Sequence, residues 1–199
     1  MTHAPFHPFD THLDEAEALK LLKAATDGAD DGELFLERRR AETLAFDDGR
    51  LRTSNYNASE GFGLRAVRGE TAGYAHASEI SAGAIGRASA SARRAVGDGG
   101  GTLAEAPLHT NRKLYADTDP MGDAAFAVKV DLLREMDAFA RGLDKRVVQV
   151  SASLAASLQE VEILRPDGAR YADTRPMARL NVSIIVDQDG RRESGTSGA

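Results

Sequence analysis

Apolar and polar positions alternate over long stretches of this chain, and the alternation gives way to a fourfold period in three places. Asp14, Glu15 and Glu17 precede Leu19, Leu22 and Ala25, with Lys20 and Lys23 near the end and Gly28 just beyond. Acid first, base last and a closing glycine predict a helix over residues 13–27. Residues 34–46 then read as a strand, Asp47-Asp48-Gly49 as a tight turn and Arg50 onward as the returning strand. Residues 61–67 and 71–77, joined by Arg68-Gly69-Glu70, predict a second hairpin. The first half is therefore expected to hold an antiparallel meander of about four strands.

Ile80, Ala84, Ala88, Ala92 and Val96 recur every fourth position, predicting a helix whose small residues pack closely on the sheet. Gly97 and the glycine-rich run after it end that helix. Residues 102–122, with Pro107 and Pro120, are expected to form a long connection over a surface or partner. Leu132, Met136, Phe139 and Leu143 predict an amphipathic helix over 123–143, with those four side chains facing the core. Beyond it, residues 148–154, 158–164, 169–174 and 177–186 read as strands, the last with Leu180, Val182, Ile184 and Val186 on one buried face. Hairpins dominate and no βαβ alternation occurs. The fold class expected is α+β, an antiparallel hairpin-rich sheet with two or three packed helices.

Three segments follow. Residues 1–12, with two prolines and three histidines, are expected to be a flexible leader, residues 13–190 one domain, and residues 191–199 a Gly/Ser-rich run that no element closes. That run predicts that the chain is the front part of something longer. The 199 residues, 42% hydrophobic, suffice for one medium domain with a core. A formal net charge of -6 and a pI near 5.4 disfavour phosphate-backbone binding, so no nucleic-acid partner is expected. The absence of cysteine removes disulfides, thiolate nucleophiles and cysteine-ligated zinc. No signal peptide is recognisable and no run reaches the ~20 apolar residues that span a bilayer. No membrane association and a cytoplasmic location are expected.

The candidate motifs carry little chemistry of their own. Gly61-x-Gly63 lies inside a strand-like run rather than between a strand and a helix, so it marks a bulge or a close backbone approach, not a phosphate loop. His3, His7, His12, His76 and His109 share no helical face with a carboxylate between them, as a zinc hydrolase requires. Arg38-Arg39-Arg40, Arg93-Arg94 and Arg191-Arg192 alternate faces in a strand or pair with nearby acids. Serines 151, 153, 157 and 183 have no His near them in sequence, and no acid pair sits in an apolar setting.

In order and spacing, residues 56–75 (YNASEGFGLRAVRGETAGYA), 144–154 (DKRVVQVSASL), 173–180 (DTRPMARL) and 189–195 (DGRRESG) resemble the N-terminal region of the TldD/PmbA family of zinc metallopeptidases, the gyrase modulators, and the TldD branch more than its partner branch. The family's zinc helix, a His-Glu-x-x-x-His pattern, lies in a later C-terminal domain and is not found in this sequence, so no catalytic or metal residue carries over. The resemblance implies zinc in the parent protein, a related PmbA/TldE-type partner subunit and unfolded peptides as substrates. This chain would then guide substrate and contact the partner without activity of its own. An extended peptide adding as a strand is expected near Gly61, Gly63 and Arg65, and exposed strands invite a homodimer of the fragment. The rival expectation is a non-enzymatic interaction module that modulates gyrase or a toxin–antitoxin pair.

Overall fold

Leu34, Leu36, Leu44 and Phe46 occupy even positions of one long strand, and all four are buried. The helices pack on the face those side chains define. A computed structural model describes residues 6–11, 13–97, 114–122 and 124–199. Its elements in chain order are α1 (Pro8–Thr11), α2 (Glu15–Ala25), β1 (Asp31–Asp47), β2 (Arg50–Arg68), β3 (Thr71–Ala77), α3 (Ala82–Val96), α4 (Phe126–Leu143), β4 (Val147–Leu164), β5 (Arg170–Gln188) and β6 (Arg191–Gly198). The six strands form one sheet in the order β3-β2-β1-β4-β5-β6, with every neighbour antiparallel. The α+β class is as expected.

Local chemistry explains the helix ends. The Asp14 carboxylate accepts from the Glu17 amide at 2.8 Å and starts α2. Ser81 does the same for α3 through the Ala84 amide at 3.2 Å, and Gly97 at φ 70° closes it after Arg93 and Arg94. Registers of Leu34 with Leu64 and Leu164 place even positions of β1, β2 and β4 on one face. At one end of that face α2 and α3 bury Leu22 and Ile85 against Leu34, Leu36, Leu64 and Leu164. At the other end α4 buries Leu133 against Leu44, Phe46 and Ala152. Each fully buried Leu or Ile contributes roughly 1.5–3 kcal/mol. Gly73 of β3 brings α3 close: a Cβ there would lie 2.2 Å from the Ala92 carbonyl oxygen.

Several expectations are corrected. Residues 6–11 of the anticipated leader hold a helical turn, with Phe6, Pro8 and Phe9 buried. Phe6 lies under the Arg38 guanidinium and Phe9 under that of Arg170, 5.3 and 4.7 Å from the ring centres. The first half contains three strands rather than four, because β2 runs unbroken through the polar stretch 52–60. In the second half the predicted breaks at 155–157 and at Pro176 are likewise absent. The Gly/Ser-rich run 191–199 is not a bare tail: β6 pairs with β5, and Ala199 exchanges two bonds with Leu180.

The face of α4 also differs from expectation. Leu133 and Ala140, with Lys129 and Asp137, turn to the sheet and Met136 packs beside Leu133 as expected, whereas Phe139 and Leu143 are 70% and 69% exposed and Leu132 is exposed as well. At ~100° per residue the two stripes lie about a quarter turn apart. The observed rotation lets Lys129 reach Glu42 and lets Arg141, which also pairs with Asp137 one turn back on the same helix, bond Asp48. Much of the predicted 102–122 connection, together with residues 98–101, His3, His12 and His109, lies outside the described residues.

Candidate functional site

The apolar phase of β1 is interrupted at its centre. Between Leu36 and Leu44 the core-facing positions are Arg38, Arg40 and Glu42, so a band of charge crosses the sheet between the two helix groups. Arg38 meets Glu160 of β4 directly across the ladder, with Nε at 2.9 Å and Nη2 at 3.0 Å from its two oxygens. Arg40 bonds Asp119 at 3.1 Å and stands 3.6 Å from Glu160. Lys129 of α4 donates to Glu42 and to the Met121 carbonyl. Glu162, buried further along β4, is held by Arg170, which also reaches Glu15. Burial opposes ionisation of Asp119, but the amides of Met121 and Gly122 and the Arg40 guanidinium outweigh it, holding its carboxyl below the ordinary range.

These charges floor a cleft of about 310 Å3 between α4 and β2. Arg40, Glu42, Asp119 and Lys129 form its polar part, and Tyr56, Met121 and Phe126 its apolar part. None of these residues was singled out in the sequence as a site. The available signal was the charged run holding the core phase between Leu36 and Leu44. The partners across the cleft stand 79 and 87 residues away in sequence.

Gly61, Gly63 and Arg65 lie together on β2, where β3 covers it. A Cβ at Gly61 would meet the Ala77 carbonyl at 2.6 Å, and one at Gly63 would meet the Tyr74 hydroxyl at 2.6 Å. The close approach read from these glycines is therefore made by the chain's own β3. Arg65 is paired with Asp31 and Glu33 at 3.2 and 3.3 Å.

Besides the outer edges of the terminal strands β3 and β6, two stretches of edge are unpaired among the described residues: β2 before Gly61, and β5 before Leu180. Main-chain parity sets what each offers. The Val67 carbonyl points to the β1 side, where it accepts from Asp30, so even residues of β2 point outward. Ser54, Tyr56, Ala58 and Glu60 thus present amides and carbonyls on the free edge. On β5, Leu180 bonds outward to Ala199, so Pro176 also points outward and lacks the donor. The face opposite the helices carries small and polar side chains, among them Thr43, Asn55, Asn57, Ser153 and Ser157.

Among the described residues no three His, Asp or Glu side chains converge to hold a metal ion. Nor is any described helix long and apolar enough to cross a membrane.

Comparison with known proteins gives matches along most of the chain. Residues 32–96 match the family model "PmbA/TldA metallopeptidase domain 1", and residues 119–199 match "PmbA/TldA metallopeptidase central domain". The β1–β4 ladder joins these two segments into one sheet. The chain is 34% identical over 175 residues to the metalloprotease TldD homolog of Buchnera aphidicola subsp. Schizaphis graminum, covering 87% of this chain and 36% of that protein. The Buchnera aphidicola subsp. Acyrthosiphon pisum homolog is 30% identical over 186 residues, 93% of this chain and 38% of its own. The present chain thus spans little more than a third of these relatives. Among solved structures, TldE from Thermococcus kodakarensis superposes with a TM-score of 0.73 at 13% identity, covering 92% of this chain and 42% of TldE. At that identity the likeness is one of fold.

Proposed function

Because this chain belongs to the PmbA/TldD metallopeptidase family, we propose that it forms the substrate-guiding and partner-contacting part of a TldD-like subunit that cleaves unfolded peptides. The observation that carries this reading is the free outer edge of β2. From Ser54 to Glu60 it offers four outward residues, each with an amide and a carbonyl, and no proline interrupts them. An extended peptide adds to such an edge through main-chain bonds, which give affinity with little sequence preference. That suits a protease subunit whose substrates share only the unfolded state. Peptide contact is therefore assigned to β2 just before Gly61, since Gly61, Gly63 and Arg65 are engaged within the chain.

The Arg38–Glu160 pair ties β1 to β4 behind that strand. The family's zinc does not fit the donors described here, and no hydrolytic step is assigned to these residues. Zinc and peptide-bond cleavage are proposed for the portion of the full-length subunit that these 199 residues do not span. A TldE-type subunit is the proposed partner, the cytoplasm the proposed location, and the exposed Phe139 and Leu143 a surface for partner contact or self-association.

Hydrogen exchange on the 199-residue chain, with and without excess of an unstructured peptide, tests the reading. Protection of the Ser54, Tyr56, Ala58 and Glu60 amides is expected. Protection confined to β5, or no protection, would refute it.

A further inference from the structure

The pleat of β1 splits the run Arg38-Arg39-Arg40 between the two faces of the sheet. Arg38 and Arg40 turn to the helix side, where Glu160 and Asp119 receive them. Arg39 stands on the opposite, open face, is exposed, and has no hydrogen bond or ion pair among the described residues. Its surroundings differ in charge from a chain whose net charge is -6. On the open face the ladder rows through Arg39, Ala41, Thr43 and Ala45 cross β2, β1, β4 and β5, and they include Arg175 and Arg179 but no Asp or Glu. The carboxylates one row away are engaged: Glu37 accepts from the Gln159 side-chain amide and Asp173 from Arg175. Arg179 bonds the Asn181 side chain. Arg39 is thus the spare cation of an acid-free band.

We propose that this band makes the free edge of β2 selective for peptides with acidic side chains, and that Arg39 is the specificity-determining residue. A peptide strand on that edge turns alternate side chains to the open face, beside Asn55, Asn57 and Ser59. Arg39 stands across the ladder from Ser59, one strand further in. Two strand spacings, roughly 10 Å, separate the peptide from β1. An extended glutamate and the Arg39 side chain close that gap over the small Ser59 and meet as a charge-assisted pair. On the helix side the same edge presents Tyr56 and Glu60, so acids placed there are repelled and the register that sends them to the Arg39 face is favoured. Arg175 and Arg179 lie two strands beyond β1 and add to the field that draws an acidic chain to this face. The inference rests on the edge docking proposed above and adds to it the class of substrate.

The test is a titration of the 199-residue chain, at low salt, with acetyl-Thr-Glu-Thr-Glu-Thr-Glu-amide and its counterparts carrying Gln or Lys in place of Glu. The Glu peptide is expected to bind about three- to fivefold more tightly than the Gln peptide, the scale of one or two exposed pairs, and the Lys peptide least. The preference should vanish near about 1 M salt. Arg39→Gln is expected to leave the far-UV spectrum and the Gln-peptide affinity unchanged while erasing the preference for Glu, and Arg39→Glu to turn it towards Lys. Equal affinity of the parent chain for the Glu and Gln peptides, or a Glu preference that survives in R39Q, overturns the inference. Exchange protection of β2 by the Gln peptide reports on the guiding role alone. Protection without a charge preference leaves that role standing, whereas a charge preference lost in R39Q without protection of β2 refutes edge docking and keeps Arg39 as the acid-binding residue.

Discussion

Arg38 and Glu160 face each other across the β1–β4 ladder as a two-pronged ion pair, with bonds of 2.9 and 3.0 Å. Glu160 is 8% exposed and also accepts the Phe6 amide at 3.2 Å, so one carboxylate ties the N-terminal turn to the centre of the sheet. Replacing it by Ala takes from two guanidiniums, Arg38 and Arg40, the buried counter-charge they share. Glu160→Ala is expected to cost about 3–5 kcal/mol, the range for removing one partner of a buried pair. The measurement is the urea midpoint at constant slope. A loss below about 1 kcal/mol would mean that solvent reaches the pair freely.

Gly73 and Gly142 should respond oppositely to alanine. At Gly73 a new Cβ would lie 2.2 Å from the Ala92 carbonyl oxygen and 3.1 Å from its Cα, both backbone atoms of α3. The helix must lift from β3, costing about 1–3 kcal/mol by overpacking. At Gly142, within α4, nothing lies within 4 Å of a new Cβ. Gly142→Ala is expected to stabilise by up to ~1 kcal/mol through helix propensity. Paired thermal melts would show the contrast.

Acid should destabilise the fold in a defined window. Asp144 is held at about 2, below its ordinary 3.8, chiefly by the Arg146 side chain, then by the Arg146 amide. Asp47 is lowered by bonds from Ser151 and Gln149, and Asp187 by Arg192 and the Gly190 amide. With folded values below unfolded ones, the unfolded chain binds more protons in this range. The stability these groups contribute is complete above about pH 4 and is lost as pH falls towards about 2. Asp144→Asn should flatten the lower part of that limb in melts from about pH 2 to 7. Since Asp144 and Arg146 are solvent-accessible, added salt should shrink the effect.

Periodicity made most of the elements visible but concealed their lengths and two of their faces. β1 and β4 were legible because half their side chains enter the core. Residues 54–60 of β2 gave no strand signal in the sequence because they are exposed on both faces, leaving no alternation to see. Pro176 read as a break because a proline interrupts a ladder only when its nitrogen faces a partner, and that is decided by parity across neighbouring strands. On α4 the apolar stripe containing Phe139 and Leu143 was conspicuous, but Lys129 and Arg141 take their charged partners, Glu42 and Asp48, from β1 and the turn after it. The cleft was illegible for a related reason: Arg40, Glu42, Asp119 and Lys129 acquire meaning only when three distant segments meet.

The free edges of β2 and β5 make the last prediction, because proline can be moved between them. Ala58 points its amide outward from β2 and is exposed, so Ala58→Pro removes a donor from the free edge without breaking the β1 ladder. Folding should be retained, as read from an unchanged far-UV spectrum, while peptide-induced exchange protection at Tyr56 and Glu60 disappears. On β5 the reverse substitution, Pro176→Thr, restores a donor between Thr174 and Ala178 and completes a second competent edge. That variant should self-associate at concentrations where the parent does not, as read by light scattering. Peptide protection that persists in A58P would place the docking strand elsewhere, and P176T remaining as dispersed as the parent would show that the proline is not what guards β5.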